Sequence, residues 1–188
     1  MATPIGHALA GWAIHSWWPG DDDRRRALWF FALTMAVLPD LDILPGVLSG
    51  APVLYHQGIS HSLGAAVVAG LLASIVAPRV GLRRPGAFFL GLACYGSHLA
   101  LDFFGPDGRP PYGIPIFWPL SDQVFISARP FLPGVRHART ASDGMATFVS
   151  GLLQRDNLYA IVLEFAILFP FLLGGLVFRR KRRADRRL

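Results

Sequence analysis

The chain of 188 residues is long enough for one domain and too short for two well-packed ones. Hydrophobic residues make up 53% of it and charged residues 16%, with a mean hydropathy of +0.42, which exceeds the soluble norm and indicates lipid as part of the surroundings. The net charge of +6 comes almost wholly from arginine, but these arginines lie in short clusters beside apolar runs, without interleaved aromatic residues, so we exclude nucleic acid as a partner.

Five apolar runs predict an all-α, polytopic membrane helical bundle of about five segments, forming a single domain. The first run begins at Thr3-Pro4, a favoured N-cap and N1 pair, and ends in paired tryptophans that suit a membrane interface. The last run has about twenty residues, and a helix of that length rises roughly 30 Å, the thickness of the hydrocarbon core. Several runs are shorter, so tilted or half-buried segments remain open. The predicted segments are 4–18, 27–44, 62–77, 86–104 and 158–178.

Basic clusters predict the orientation of these segments. Arg24–Arg26 precede the second run, Arg79 and Arg83–Arg84 separate the third from the fourth, and a basic tail at 179–188 follows the fifth. The positive-inside rule places all of them in the cytoplasm, with the N-terminus outside and the C-terminus inside. Residues 105–157 then form a long outer loop, with a short helix near 141–153, and loops of that length are often functional.

Ionisable residues fall at the end of each run that this orientation places outside. Because the orientation rests on arginine and lysine alone, their convergence at one membrane face is an independent check on it. His15 and His137 do not join this pattern. The converging residues are His7, Asp40, Asp42, His56, His61, His98, Asp102 and Glu164.

These residue types predict a metal site. His98 and Asp102 are four residues apart, which puts both side chains on one face of a helix. Carboxylates at this depth need a counter-ion, and a divalent cation would supply it; imidazole with carboxylate suits Zn, while Mn and Fe are alternatives. We expect two ions, with Asp40, Asp42 or Glu164 as general base. The expected ligands are His7, Asp40, Asp42, His56, His61, His98 and Asp102.

Simpler roles remain open for the same residues. They are a turn cap for Asp40 and Asp42, solvation for His56, helix initiation for His61, a metal-free hydrogen-bonded pair for His98 and Asp102, and an interhelical hydrogen bond for Glu164. The buried-run position of Cys94 indicates packing, and a single cysteine excludes an internal disulfide.

Five motifs occur in one order, and together they resemble the YdjM-like family of bacterial inner-membrane proteins, which are inferred to be metal-dependent hydrolases. The resemblance covers roughly residues 3–125 and implies an inner-membrane location. At Gln57 a basic residue is usual in the family, so an anion-binding role there is in doubt. The motifs are Pro4–His7, Pro39–Asp42, His56–Ser62, His98–Asp102 and Gly113–Ser121.

The ligand set is also similar to that of zinc-dependent phospholipase C and its nuclease relatives. Those helical enzymes have a His-x-x-x-Asp helix and an upstream Asp followed by a His, as in His98/Asp102 and Asp42/His56, although their full trinuclear set is not evident. The resemblance implies a membrane-bound phosphodiesterase or phospholipase that uses a metal-activated water.

A site near the outer interface indicates a membrane lipid or lipid-linked phosphate as substrate, with a phosphorylated small molecule as the alternative. We expect the site to face the periplasm or the outer leaflet. Arg129, Arg136 and Arg139 either meet a phosphate head group or form a solvated basic loop. The competing hypothesis is a non-enzymatic metal-binding membrane protein, structural, regulatory or transport-associated. Transport requires a polar path to the other membrane face, and because the inner halves of the runs are apolar, the sequence argues against transport. Oligomeric state stays open.

Overall fold

The computed structural model describes residues 1–19, 25–108, 110–137, 140 and 142–185. Helices dominate these ranges, and no β-strand occurs in them; Ile114 and Phe125 form an isolated bridge. The predicted all-α class is therefore confirmed. The helices are α1 (Pro4–Trp17), α2 (Arg25–Val37), α3 (Ile43–Leu48), α4 (Leu63–Val76), α5 (Arg84–Phe104), α6 (Met145–Leu152) and α7 (Arg155–Asp185).

Three helical stretches in the described ranges are long and apolar enough to span a membrane: Arg25–Leu48, Arg84–Phe104 and Arg155–Asp185. The sequence predicted about five segments, but α1 and α4 have only 14 residues each. A helix of 14 residues rises about 21 Å, which is short of the hydrocarbon core. The basic residues expected to form a separate tail instead continue α7, which is 31 residues long, as far as Asp185.

The long second helical stretch changes its geometry where the first acidic motif begins. Proline at position 39 has no N–H to donate, and the backbone tightens into a 3-10 segment over Leu38–Asp42 before α3 starts. This tighter turn lies between α2 and α3, so Asp40 and Asp42 occupy a bend rather than the side of a straight helix.

The helices pack into one bundle. Helices α2, α4 and α5 share a hydrophobic core in which alanines alternate with larger residues, while Leu9 and Ala13 of α1 pack with Leu172 of α7 in a second cluster. Helix α1 contacts α2 closely: a Cβ added at Gly11 would lie 2.7 Å from the Cβ of Ala36. Such close approach through small residues is typical of helix packing in membranes.

The loop motif Gly113–Ser121 holds the start of α4. The carbonyls of Ile116 and Trp118 accept hydrogen bonds from the N–H groups of Leu63 and Gly64, at 2.8 and 3.2 Å. These N–H groups belong to the first turn of α4 and have no partner within the helix. The motif thereby fixes the chain just after His61.

Candidate metal centre

Four side chains from three segments bring their donor atoms to one point. Nε2 of His61 and Nε2 of His98 lie 3.2 Å apart. An oxygen of Asp40 lies 3.4 Å from the His98 nitrogen and 3.7 Å from the His61 nitrogen. Oδ2 of Asp102 lies 3.3 and 3.4 Å from the same two nitrogens. We call these four residues the inner set; both histidines and Asp102 are almost fully buried.

These separations match the edges of a tetrahedral coordination shell. An ion with ligand bonds of about 2.0–2.1 Å holds its ligand atoms about 3.3–3.4 Å apart in a tetrahedron. Five of the six pairs in the inner set lie between 3.2 and 3.7 Å. His61 and His98, taken with either carboxylate, are therefore spaced as three ligands of a zinc-sized ion would be.

The tautomer of His98 is set by the bend after α2. Nδ1 of His98 lies 2.8 Å from the carbonyl of Ala36, and because a carbonyl only accepts, Nδ1 must carry the proton. In a 3-10 pattern this carbonyl would pair with residue 39, a proline without an N–H, so it is available to the histidine. Nε2 of His98 consequently presents a lone pair to the inner set.

Asp42 orients two histidines from behind. Its oxygens lie 2.6 Å from Nδ1 of His56 and 3.1 Å from Nδ1 of His61. They also accept hydrogen bonds from Ser60 Oγ at 2.5 Å and from the backbone N–H of Gln57 at 3.1 Å. Because the Ser60 hydroxyl donates its hydrogen bond to Asp42, it can only accept one from Nδ1 of His61, and that nitrogen therefore carries the proton. Nε2 of both histidines then faces the inner set. A carboxylate behind a ligating histidine is the usual arrangement in metal sites.

The charges around the inner set favour a bound cation. Within the described residues, the ion pairs of Asp40, Asp42 and Asp102 are all with histidines. Burial by itself lowers the pKa of His61, but hydrogen bonds and charge from Asp102, Asp40 and Asp42 outweigh it and raise that pKa well above its usual value. The same excess of negative charge that stabilises a proton there would stabilise a divalent ion.

Two further histidines border the inner set. The ring of His7 stacks on that of His98 with centroids 3.6 Å apart, and its Nε2 lies 3.3 Å from Oδ1 of Asp102. Nε2 of His56 lies 3.9 Å from Asp40. Including these two, three groups of residues have donor atoms within 4.8 Å of one another. The groups are His7, Asp40 and His98; Asp40, His56 and His61; and His61, His98 and Asp102.

Glu164 holds the start of α1. One of its oxygens accepts a hydrogen bond from the Thr3 N–H at 2.8 Å, and the other accepts from the Thr3 hydroxyl. Thr3 is also the N-cap of α1, as predicted, accepting from the N–H of Gly6 at 3.0 Å. Glu164 belongs to none of the three donor groups. Its contacts are those of the interhelical hydrogen bond that the sequence left open.

The long loop between α5 and α6 contributes a neighbour that the sequence did not reveal. His137 is 8% exposed, and its ring centroid lies 5.9 Å from that of His56. Of the three loop arginines, Arg129 is exposed, Arg136 pairs with Asp156 at 3.1 Å, and Arg139 lies outside the described residues. No local spacing links His137 to His56, because 80 residues separate them and only the tertiary fold brings them together.

The comparisons with known proteins agree with the membrane character of this bundle. The family described as YdjM inner membrane protein matches residues 1–183, so the chain belongs to that family. Comparison with curated proteins gives no match, and comparison with solved structures gives none either.

Proposed function

We propose that this member of the YdjM inner membrane protein family is a membrane-bound, metal-dependent hydrolase that cleaves a phosphoester of a lipid or lipid-linked substrate. The observation that carries the proposal is the inner set, where Nε2 of His61 and Nε2 of His98 lie 3.2 Å apart beside two carboxylates. Two ring nitrogens at that distance require a proton or a metal ion between them, and the negative charge of the carboxylates favours a divalent ion. We propose the predicted roles of the site residues together with this function.

Each residue of the site has a distinct proposed role. His61, His98, Asp40 and Asp102 would hold a divalent ion, zinc by preference with Mn or Fe as alternatives, and His7 and His56 would extend the site to a second ion. A bound ion would supply Lewis acidity and a nucleophilic water at neutral pH. Asp42 keeps His56 and His61 in the ligating tautomer.

Hydrolysis is favoured over a purely structural site by the number of donors. Six residues make up the three overlapping groups, more than a single four-coordinate structural ion uses. The imidazole and carboxylate donors also suit phosphoester chemistry, since metal charge offsets the negative charge that develops on the phosphoryl group. A site like that of zinc-dependent phospholipase C is part of this proposal.

The positions of the arginines support a site that faces the periplasm or outer leaflet. Helix α5 begins at Arg84 and carries His98 and Asp102 in its last turns, while α7 carries Glu164 near its start and Arg179–Arg183 near its end. The donors therefore lie at the ends of these helices remote from the basic clusters, which the positive-inside rule assigns to the cytoplasm.

The second candidate is a non-enzymatic metal-binding membrane protein. The presence of four protein donors in the inner set favours it, because structural zinc sites take all four ligands from the protein whereas catalytic sites keep one position open. A structural, regulatory or transport-associated role would each be consistent with one closed ion.

Metal analysis of the purified protein tests the proposal, paired with hydrolysis of a phospholipid panel in the presence of Zn, Mn or Fe. Wild type should hold metal and release a phosphorylated head group, whereas His98→Ala and Asp102→Ala should lose both properties. Ser97→Ala on the same helix and Asp122→Ala in an exposed loop are matched controls and should behave as wild type. Unchanged metal content in both site variants would refute the metal site, while metal without hydrolysis would favour the second candidate.

A further inference from the structure

Helix α6 has two unlike faces. Met145, Phe148, Val149 and Leu152 form one arc, and three of them, Met145, Val149 and Leu152, are 41–47% exposed. Thr147, Ser150 and Gly151 form the opposite arc, by the 100° rotation of each helical residue. A short helix that exposes an apolar arc and turns polar residues the other way is suited to the membrane interface.

The polar face of α6 borders a cavity. Thr147, Ser150 and Gln154 line a space of about 730 Å³, whose other walls come from residues 106–108, from residues 133–137 and from the start of α7. This volume lies within the range of pockets that bind small molecules. His137 is part of the wall, and its ring centroid lies 5.9 Å from that of His56, so a single residue connects the cavity wall to the nearest donor group.

The His137 wall is held rigidly. The Asn157 side chain accepts a hydrogen bond from the Arg136 N–H at 2.7 Å and donates one to the Arg136 carbonyl at 2.8 Å. Behind it, a Cβ added at Gly151 would lie 2.8 Å from Cα of His137, so α6 and the loop touch through backbone. Two walls of this open cavity, α6 and the segment that contains His137, are thus in direct contact.

The apolar face of α6 continues the surface of a candidate membrane span. Leu158 and Val162 at the start of α7 are 64% and 58% exposed, and α7 is long and apolar enough to cross the bilayer. Their apolar surface follows that of α6 after a break of only a few residues. The occupant that this continuity favours is lipid, which would cover both surfaces at one interface.

We propose that α6 and this cavity form a lateral entrance through which the head group of a membrane phospholipid reaches the donor groups while its acyl chains stay in the bilayer. The described cavity wall carries the carboxylates of Asp107, Asp143 and Asp156, and Arg136 is paired with the last of these. Such a wall suits a head group that bears hydroxyls or an amine better than it suits bare phosphate. This assignment rests on the proposed function only for the reaction that follows binding.

Adjacent cysteine variants test the two faces of α6 without any need for activity. Native Cys94 is fully buried, so a fluorophore attached in proteoliposomes will report the introduced position alone. Val149→Cys should be quenched by doxyl-labelled lipid and protected from iodide, and Ser150→Cys should show the reverse. Equal iodide quenching at both positions would overturn the interface placement. Shielding of Val149→Cys from both quenchers would also overturn it, by placing protein on that face.

Head-group binding is tested on the same two variants by the rate of cysteine modification. Glycerophosphoethanolamine or glycerophosphoglycerol at ten times its Kd should slow modification of Ser150→Cys about tenfold, because only about one site in eleven is then free. Modification of Val149→Cys should not change, and inorganic phosphate should protect neither variant. Protection by phosphate alone, or no protection at Ser150→Cys by either head group at millimolar concentration, would overturn the head-group assignment. Absence of hydrolysis would leave these results standing and would count against the proposed function alone.

Discussion

The two ends of α1 each bury a histidine, yet the surroundings of the two histidines differ. His7 is 1% exposed and His15 is 2% exposed, and they lie eight residues apart on one helix. The His7 ring stacks on His98 and its Nε2 lies near Asp102, whereas neither ring nitrogen of His15 has a hydrogen-bond partner among the described residues. The charged groups near His15 are Arg179 and Arg25, and Arg179 donates to the carbonyls of His15 and Trp18.

The difference shows that burial does not make a histidine a ligand. At the His7 end, a positive charge would stabilise the buried carboxylates, and these carboxylates fix the direction of the histidine lone pairs. At the His15 end, Arg179 and Arg25 already supply positive charge. A metal should therefore stabilise one end of the bundle and leave the other unchanged.

Metal removal should produce the largest effect. If metal is present at about 1,000 times its Kd, it stabilises the folded state by about 4 kcal/mol, so EDTA should lower the thermal midpoint of wild type by several degrees. His98→Ala should start from the lower midpoint and show no response to EDTA. The measurement is thermal unfolding in detergent, followed by circular dichroism with and without EDTA. A midpoint in wild type that is insensitive to EDTA and to added zinc would contradict the predicted stabilisation.

Substitution at Asp42 should weaken the metal site without abolishing it. In Asp42→Asn the amide group still fills the space but accepts on one side only, so either His56 or His61 loses the partner that holds its Nδ1 proton. Affinity for zinc should fall about 10–100-fold, as is usual for such supporting carboxylates. Competition with a zinc-binding dye measures the change, and Asp122→Asn provides an exposed control. An affinity equal to that of wild type would show that Asp42 does not orient the ligands.

Glu164→Gln should affect folding more than metal binding. Glutamine keeps one acceptor oxygen but places an NH₂ group where the carboxylate accepts from Thr3, which should cost about 1–3 kcal/mol of stability. Denaturant unfolding measures this loss, and Thr3→Ser is a control that retains the hydroxyl. Zinc affinity should stay within a few-fold of wild type. A large loss of hydrolysis with unchanged stability would instead identify Glu164 as the general base, the role that the sequence first suggested.

His15→Leu should have the smallest effect and sharpens the comparison with His7. Replacing a buried imidazole that lacks hydrogen-bond partners by an apolar side chain of similar size should leave stability within about 1 kcal/mol of wild type, or raise it slightly. Metal content should be unchanged, whereas His7→Leu should lower zinc affinity. Metal analysis and thermal unfolding of the two variants, in parallel, check both expectations. Equal loss of metal in the two variants would mean that His7 acts only through the packing of α1.

Much of this architecture could be predicted from sequence because its signals are local. Apolar runs, the Thr3-Pro4 start and the spacing of His98 and Asp102 predict helices and a shared face, and the structure has α1 and α5 at those positions. The number of spans was less predictable. Apolarity does not distinguish the 14 residues of α4 from a full span, and the basic residues after residue 178 continue α7 because arginine and lysine are good helix formers.

The sequence by itself determined that the bundle is helical and apolar, and which residue types gather near the ends of its helices. Only the tertiary structure decided how those residues divide: Asp42 behind the histidines, Glu164 on Thr3, and His137 beside His56. The physical reason is that a hydrogen bond or a coordination edge requires donor atoms within about 3–4 Å. Those distances depend on the bend at Pro39, on the close contact at Gly11 and on a long loop. The separation of residues along the sequence does not predict how these three features combine.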